Sequence, residues 1–404
     1  MSYKIRNRKH ILALFGFLPL IALQIHNATI LPLSRGFDAY HHADYIKYIK
    51  TYAHLPLPPD GWEMYQAPLY YLIGAILPDI AALRIVQIIA WTALGIVGYI
   101  FLSRSFDKTL AMAGTLLLMS LPVVIYATPL ISNEFFSSVV IDAAFAMYLL
   151  TREKTSWKDG LIPGFLLGLA LLSKATAIIL AGLIFADLIF SLLRFRKIVY
   201  ARIVVLLSAF IMSGWFYLRS LVLYKNPFIA SIDFPRYAFT EQPWDRGFKF
   251  FLDLTPFLKL EMFTAQHNSL WAGTYFSWFY DGHNAIVPVQ GFSKAGALLI
   301  LASIPFVLLA IYGMLRILKK INGKELLILL YPIFLFAAYV LYNFKIPYYS
   351  TVKAVFLLSS AIPFVYLTVK GLEPFKKYYF VFLVYMIFYI LLVLKNFWIL
   401  STWR

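Results

Sequence analysis

Long apolar blocks separated by short charged stretches dominate this chain of 404 residues. Several blocks extend over about 20 residues, the length at which an α-helix crosses the hydrocarbon core of a bilayer. Hydrophobic residues make up 61% of the sequence and charged residues 14%, whereas a soluble domain has about 25% charged residues. Because a helix satisfies its own backbone hydrogen bonds without water, this pattern predicts an all-α, polytopic helical membrane protein.

The apolar blocks predict about eleven transmembrane helices. They lie at residues 11–33, 81–102, 110–128, 135–150, 161–173 and 175–193, in a block that ends at 223, and at 295–315, 326–343, 354–369 and 378–400. We therefore expect a single integral-membrane domain over residues 1–404, with no separate soluble domain.

The lysines and arginines predict how these helices are oriented. The formal net charge is +17, and the basic clusters lie on the same side as the basic N-terminus, with Lys174 as the exception. This is the distribution of the positive-inside rule, so we attribute the charge to topology and expect no nucleic-acid partner. The N-terminus is then cytoplasmic, and residues 34–80, 224–294 and 344–353 are the main outer loops. We expect the chain in the cytoplasmic membrane of a prokaryote, among membrane lipids.

The first predicted outer loop, residues 34–80, holds the densest group of ionisable side chains. The acidic and histidine side chains between Gly36 and Tyr71 are Asp38, His41, His42, Asp44, His54, Asp60 and Glu63. The other outer segments contribute Asn133, Glu134, Lys174, Arg219, Lys345 and Lys353. Carboxylates that face scattered cations at the depth of the outer headgroups suggest a site for an anionic lipid and a reacting hydroxyl.

These residue types suit the transfer of a sugar from a lipid phosphate. The phosphate leaves readily once its charge is neutralised, so its departure needs no general acid, unlike glycoside hydrolysis with its two carboxylates. The reaction then requires one base for the proton of the acceptor and cations near the phosphate. One outer carboxylate and several outer Lys and Arg side chains meet this requirement.

Six motifs occur in order between Asp38 and Leu358, each at a predicted loop edge. The first is Asp38-x3-His42-x2-Tyr45-x2-Tyr48. The others are QAPLYY at 66–71 with Arg84, SNE at 132–134, LSKATA at 172–177, GWFYLR at 214–219 followed by YKNP at 224–227, and VKAVFLL at 352–358. Together they resemble the GT-C membrane glycosyltransferases, in the branch of the protein O-mannosyltransferases and the bacterial aminoarabinose transferase of lipid A.

The resemblance implies a GT-C-like fold whose first outer loop carries juxtamembrane helices. It also implies an inverting glycosyltransferase that takes a sugar from a polyprenyl-phosphate-linked donor and passes it to a hydroxyl of a lipid, glycan or protein acceptor outside the cytoplasm or in a lumen. Asp38 lies at the position of the general base. The substrate and acceptor pocket would contain His41, His42, Asp44, Tyr45, Gln66, Tyr70, Asn133 and Glu134. The donor phosphate would be bound by Lys174, Arg219, Lys345 and Lys353. Val355 stands where the family commonly has an arginine.

Several of these roles have alternatives. Glu134 could line the pocket or cap the helix that follows it, and Lys174 could contact the phosphate or extend to the lipid headgroups. Support of Asp38 by a histidine is the preferred role for His41 or His42, and we expect no cofactor. A divalent metal near Asp38 and His42 is the alternative. The sequence has no cysteine, which excludes disulfides, zinc–thiolate sites and cysteine nucleophiles.

Two other functions fit parts of the pattern. One is a polymerase or ligase that acts on polyprenyl-diphosphate-linked glycans. The other is a lipid–sugar flippase or secondary transporter. Transporters place their polar residues near the midplane of the bilayer in broken helices, whereas here the polar residues gather at one face. We therefore favour a transferase.

Overall fold

A computed structural model of the chain describes residues 2–195, 200–237, 246–288 and 293–399. Its α-helices, named in chain order α1 to α17, are Ser2–Ile30, Ala39–Tyr52, Leu69–Ile76, Leu83–Ser103, Lys108–Ser120, Pro122–Ala127, Asn133–Thr151, Leu161–Ser173, Ile178–Phe195, Tyr200–Tyr224, Thr255–Lys259, Ala265–Asn268, Leu270–Phe279, Lys294–Lys319, Gly323–Lys345, Ala361–Leu372 and Tyr379–Phe397. The all-α prediction is confirmed.

Seven helical segments in the described part of the chain are long and apolar enough to cross a membrane. They are Leu83–Ser103, Asn133–Thr151, Ala175–Arg194, Tyr200–Tyr224, Lys294–Lys319, Gly323–Lys345 and the composite segment Tyr349–Phe397. The predicted spans at 110–128 and 161–173 correspond to shorter apolar helices, namely α5 with α6, and α8. The predicted span at 11–33 lies mostly within α1 and includes its apolar part, Gly16–Ile30. The protein is therefore a polytopic membrane protein, and the count of eleven crossings stays a prediction. The end of the last predicted span, residue 400, lies outside the described residues.

Two predicted spans are not single α-helices. The span at 110–128 breaks at Leu121, whose ψ of 126° separates α5 from α6. A proline ring clashes with the residue before it in the helical conformation, so Pro122 explains this break. The span at 354–369 begins with a 3₁₀ segment, Ala354–Ser360, before α16 starts. Both breaks bring irregular backbone into the protein interior, next to the loops at the predicted outer face.

The helices pack closely where glycines face each other. A Cβ atom added to Gly313 on α14 would lie 2.0 Å from the carbonyl oxygen of Leu367, and one added to Gly371 on α16 would lie 2.0 Å from that of Leu309. Both distances are impossible, so α14 and α16 can cross this closely only with glycine at both positions. Small residues at helix interfaces are the usual means of close packing inside membranes.

A buried ion-pair network ties three helices together at the predicted cytoplasmic side. The carboxylate of Asp187 on α9 lies 2.7 Å from Nη2 of Arg152, just beyond α7, and 3.2 Å from Nε of Arg202 on α10. The hydroxyl of Tyr148 on α7 also donates to it. A carboxylate this deep is stable because two cations and a hydroxyl surround it.

The first outer loop carries α2 and α3, as the resemblance implies. The two helices pack against each other because Gly74 on α3 leaves room for Ile46 on α2: a Cβ atom at Gly74 would lie only 2.7 Å from Cδ1 of Ile46. The rings of Tyr45 and Tyr71 stack with centroids 3.8 Å apart. This pair of helices positions the residue that precedes α2, Asp38.

The second long outer loop packs into the protein rather than standing apart from it. Residues 271–280 of this loop, WAGTYFSWFY, form an aromatic run, and α13 carries most of it. Its residues Phe276, Trp278 and Phe279 are buried. The Ser277 carbonyl accepts a hydrogen bond from Tyr126 at 2.7 Å, and its hydroxyl accepts one from the Ala354 N–H at 2.9 Å. The run therefore supports the segment before α16. Residues 238–245 and 289–292 of this loop lie outside the described residues.

Candidate active site

A cavity of about 470 Å³ opens among the elements that the sequence places at the outer face. Its wall is formed by the first outer loop, the start of α7, the segment between α8 and α9, residues 228–232 after α10, one face of α15 and the segment before α16. The lining includes Phe37, Asp38, His42, Trp62, Glu63, Tyr65, Gln66, Ser132, Glu134, Lys174, Tyr339, Tyr342, Tyr348, Thr351, Lys353 and Phe356. The cavity thus combines an acidic loop, two lysines and several aromatic rings.

Asp38 lies at the N-terminus of α2 in an unusual backbone conformation. Its φ of 55° and ψ of 27° are left-handed, which aspartate tolerates better than most residues. It occupies the cap position of α2, yet its side chain makes no capping hydrogen bond. The residue is exposed and lines the cavity. Its carboxylate therefore remains available to accept a proton from a substrate.

His42 stands one helical turn after Asp38 and is buried. Its Nδ1 lies 2.9 Å from the hydroxyl of Tyr71. Among the described residues, the hydrogen-bond partner of His42 is therefore Tyr71 and not the Asp38 carboxylate. Burial lowers the pKa of His42 from 6.5 to about 3, although the charge of Asp38 opposes the shift. His42 is consequently neutral at physiological pH. It fixes the α2–α3 pair through Tyr71, which itself stacks on Tyr45.

Glu63 is a second carboxyl group in the cavity wall, and only 5% of it is exposed. The Gln66 amide donates to its Oε2 at 3.0 Å and to the Tyr65 hydroxyl at the same distance. Tyr45 in turn donates to the Gln66 carbonyl at 3.2 Å. Burial, reinforced by the negative charge of Asp38, raises the pKa of Glu63 from 4.5 to about 8.

Glu134 and Lys174 form an ion pair across the cavity wall. Glu134 stands in the first turn of α7, behind the Ser132 hydroxyl, which accepts from the Glu134 N–H at 3.3 Å. The cap of α7 is therefore Ser132, and the Glu134 side chain is directed to Lys174 instead. The neighbouring Asn133 is fully buried and does not line the cavity.

Lys353 is the other lysine of the cavity. Its Nζ lies 4.3 Å from the ring centroid of Phe37 and 5.9 Å from that of Phe356. Among the described residues it has no ion-pair partner, although the charges of Asp38 and Glu134 act on it. An ammonium group that is held by aromatic faces and not by a carboxylate remains able to neutralise an anion in the cavity.

The other predicted phosphate ligands lie elsewhere. Arg219 does not line the cavity, and its Nη2 donates to the carbonyls of Leu55 at 3.2 Å and Pro56 at 3.0 Å. It thereby ties α10 to the middle of the first outer loop, shortly after α2. Lys345 is exposed at the end of α15 and is absent from the cavity lining. A phosphate contact by either residue stays a prediction without support from this geometry.

Only some of the predicted pocket residues line the cavity. His42, Gln66 and Glu134 line the cavity, whereas His41 and Asp44 are exposed and do not line it. Other predicted members, Tyr45, Tyr70 and Asn133, are buried behind the wall. Arg84, which is part of the second motif, donates to the carbonyls of Ala28 at 2.9 Å and Pro32 at 3.1 Å and so braces the end of α1.

Sequence reasoning missed several residues of the wall. Glu63 stands in the acidic loop but received no role, and the aromatic members Phe37, Tyr65, Tyr342 and Phe356 were not singled out. The only local signal for Glu63 is its position among apolar and aromatic residues, Trp62-Glu63-Met64-Tyr65. The described residues contain no group of three or more His, Asp or Glu side chains arranged to hold a metal ion.

Comparison with known proteins places these residues in context. A family model described as dolichyl-phosphate-mannose-protein mannosyltransferase matches residues 67–217. The matched segment contains Glu134 and Lys174 of the cavity, whereas Asp38 and Lys353 lie outside it. No curated protein sequence matches the chain.

Solved structures of one archaeal enzyme share the fold of this chain. The oligosaccharyltransferase of Archaeoglobus fulgidus in the apo form has a TM-score of 0.55 at 15% identity, over 99% of this chain and 56% of its own. The same protein tethered with an acceptor peptide containing the NVT sequon also gives 0.55, at 14% identity, over 99% of this chain and 55% of its own. ArnT from Cupriavidus metallidurans in the apo state has a TM-score of 0.42 at 18% identity, over 89% of this chain and 78% of its own. The chain thus spans about half the length of the oligosaccharyltransferase structures that it matches.

Proposed function

We propose that this chain, which has the GT-C fold of membrane glycosyltransferases, transfers a sugar from a polyprenyl-phosphate-linked donor to a hydroxyl group. The acceptor belongs to a lipid, a glycan or a protein, and the reaction takes place on the outer face of the membrane. The observation that carries the proposal is the pairing of charges in the cavity. Glu134 and Lys174 neutralise each other, which leaves the Asp38 carboxylate and the Lys353 ammonium for substrates.

In the proposed reaction Asp38 is the general base. It takes the proton of the acceptor hydroxyl while the hydroxyl oxygen forms a bond to the anomeric carbon of the donor. The bond between that carbon and the phosphate oxygen breaks, and the phosphate leaves with the electron pair. Attack opposite the leaving group inverts the anomeric centre. Asp38 is exposed, so it can return the proton to solvent after transfer.

Lys353 is the proposed partner of the donor phosphate. An ammonium group stabilises the negative charge that grows on the phosphate as it leaves. The rings of Phe37 and Phe356 hold this group in the cavity without neutralising it. Because phosphate is a good leaving group once its charge is balanced, the site requires no general acid.

The neutral His42 supports the site through packing and not through charge. It locks α2 to α3 by its contact with Tyr71, and α2 begins directly after Asp38.

The aromatic side chains of the wall, such as Tyr65 and Tyr342, offer faces on which a sugar ring can stack. A transporter would need polar groups near the middle of the bilayer, whereas this cavity lies among the loops that the sequence predicts at the outer face.

The experiment is transfer by the purified protein in liposomes. A panel of synthetic polyprenyl-phosphate-linked sugars is offered with a lipid, a glycan and a peptide acceptor, and products are identified by mass spectrometry. The same sugars on polyprenyl diphosphate are the matched donors for the alternative of a polymerase or ligase. We expect transfer from a monophosphate-linked donor. Transfer from diphosphate donors alone, or movement of intact lipid-linked sugar across the bilayer without transfer, would contradict the proposal.

A further inference from the structure

Glu63 is the carboxyl group of the cavity that the proposed reaction does not use. It is 5% exposed and lies in the cavity wall. One of its oxygens, Oε2, accepts a hydrogen bond from the Gln66 amide at 3.0 Å. Among the described residues no lysine, arginine or histidine forms an ion pair with it. The three carboxyl groups of the cavity therefore have three different environments: Asp38 is exposed, Glu134 is paired with Lys174, and Glu63 is buried and unpaired.

The charges around Glu63 come from several elements. Asp38, before α2, and Glu134, on α7, are both negative, whereas Lys174, between α8 and α9, is positive. Lys353, before α16, also interacts with Glu63. The titratable neighbours Tyr65 and Tyr71 in the same loop, and Tyr342 on α15, complete the set.

Burial and these negative neighbours favour the neutral form of Glu63. The pKa of Glu63 is raised to about 8, first by burial and then by the charge of Asp38. At neutral pH the Glu63 carboxyl group therefore carries a proton, while the exposed carboxylate of Asp38 acts as the base. Two carboxyl groups whose environments differ in this way commonly divide the roles of hydrogen-bond donor and base in one site.

We propose that Glu63 binds the substrate as a protonated carboxyl group and that its O–H donates a hydrogen bond to an oxygen of the bound lipid-phosphate sugar. The inference rests on the proposed function and adds a substrate-binding residue to it. Gln66 occupies Oε2, so the proton is carried by the other oxygen. A neutral acid contributes a hydrogen bond to an anionic donor without adding a negative charge beside Asp38 and the phosphate.

This role makes donor affinity depend on pH. As the pH rises through about 8, Glu63 ionises, loses the donated hydrogen bond and repels the phosphate. Donor affinity of the wild-type protein should therefore fall as the pH rises from 7 to 9.5. Glu63→Gln keeps an N–H donor and cannot ionise, so its affinity should change much less. Lys353 and the tyrosines are present in both proteins, so the difference between the two profiles reports on Glu63.

The test measures binding of a synthetic polyprenyl-phosphate-linked sugar to the full-length protein in nanodiscs between pH 6.5 and 9.5. We expect wild-type affinity to fall about tenfold more than that of Glu63→Gln, since a hydrogen bond to a charged group contributes about that factor. Asp44→Asn, an exposed acid outside the cavity, should reproduce the wild-type profile. Infrared difference spectra between pH 7 and 9.5 should show a protonated carboxyl band in the wild type that Glu63→Gln lacks.

The outcomes separate this inference from the proposed function. If the wild-type protein transfers sugar at pH 7 but Glu63→Gln shows the same pH profile of binding, Glu63 does not contact the donor. If the wild type neither binds nor transfers at any pH, both the transferase and the donor contact are wrong. Should Glu63→Gln fail to fold, the wild-type infrared spectrum decides, because the absence of a carboxyl band that titrates near pH 8 overturns the inference.

Discussion

Lys174 and Glu134 form an ion pair although 40 residues separate them in the chain. Glu134 stands in the first turn of α7, and Lys174 follows the last residue of α8. Only 11% of the lysine side chain and 12% of the glutamate side chain is exposed. The pair therefore holds the adjacent ends of two neighbouring helices together at the cavity, and it determines which charges the site offers to a substrate.

The first prediction concerns this pair. Lys174→Met leaves an unpaired, nearly buried carboxylate and should destabilise the protein by about 3 kcal/mol, the usual cost of removing one partner of a buried pair. The double variant Lys174→Met with Glu134→Gln should be more stable than Lys174→Met alone, because no charge remains unpaired. Thermal unfolding in detergent measures both. Additive losses in the double variant would mean that the two side chains are not coupled.

The second prediction compares two lysines close in the sequence. Lys353→Met removes the cavity ammonium group and should reduce transfer by about 10²-fold, as expected for a lost charge-assisted contact to a developing anion. Lys345→Met removes an exposed lysine outside the cavity lining and should leave transfer within about twofold of wild type. Initial rates at saturating acceptor give the comparison. The reverse order of effects would place the phosphate near Lys345 instead.

Most of the fold could be predicted from the sequence because hydropathy and length fix a membrane helix. The span predicted at 295–315 lies within α14, Lys294–Lys319, and that at 326–343 lies within α15, Gly323–Lys345. The break in the span at 110–128 was missed although Pro122 signalled it. The predicted resemblance is confirmed over residues 67–217 by a family model of protein mannosyltransferases, and solved structures share the fold.

The site was only partly predictable, for two physical reasons. One reason is that the two faces of α2 have different environments. His42, Tyr45 and Ile49 share the buried face, whereas His41 and Asp44 point away from it. A period of 3.6 residues already separates these groups in the sequence. The other reason is that contacts between loops leave no local signal. The sequence alone could not show that Arg219 would donate to loop carbonyls, or that Lys174 would pair with Glu134.

The third prediction tests the orientation of the chain, and the absence of native cysteine makes it direct. His54→Cys places a thiol on an exposed residue of the first outer loop, and Lys158→Cys places one on an exposed residue of a predicted cytoplasmic loop. In intact cells a membrane-impermeant maleimide should label His54→Cys only. Lys158→Cys should react after lysis, which also controls for its accessibility. The opposite labelling pattern would invert the topology and move the site to the cytoplasm.

The fourth prediction concerns the stability of the protein below pH 6.5. His42 is neutral in the folded protein because burial lowers its pKa to about 3, whereas an unfolded histidine takes up a proton below its usual pKa of 6.5. Acid therefore favours unfolding, and the loss at pH 5 should be about 2 kcal/mol relative to pH 7. His42→Gln should lose this contribution, while His41→Gln, an exposed neighbour, should retain it. Melting curves at pH 5, 6 and 7 measure the difference, and equal pH dependence in all three proteins would refute the buried, neutral state.

The last prediction concerns the proposed base. Asp38→Asn keeps the size of the side chain and removes the proton acceptor, so transfer should fall by about 10²- to 10⁴-fold, the range attributed to a general base. Asparagine is the appropriate substitute because Asp38 has a φ of 55°, and asparagine adopts the left-handed conformation about as easily as aspartate. Alanine would add backbone strain and confuse the result. Donor binding should survive, since the phosphate contact is assigned to Lys353.

The control for this variant stands six residues further along the chain. Asp44→Asn changes an exposed carboxylate of the same helix that does not line the cavity, so transfer should remain within about twofold of wild type. Both variants are compared at equal amounts of folded protein in liposomes, with donor binding measured in parallel. Wild-type transfer by Asp38→Asn would remove the base from the mechanism. Glu134 is paired with Lys174, and burial raises the pKa of Glu63 to about 8. At neutral pH neither of these carboxyl groups could therefore replace Asp38 unless that ion pair opened or Glu63 lost its proton.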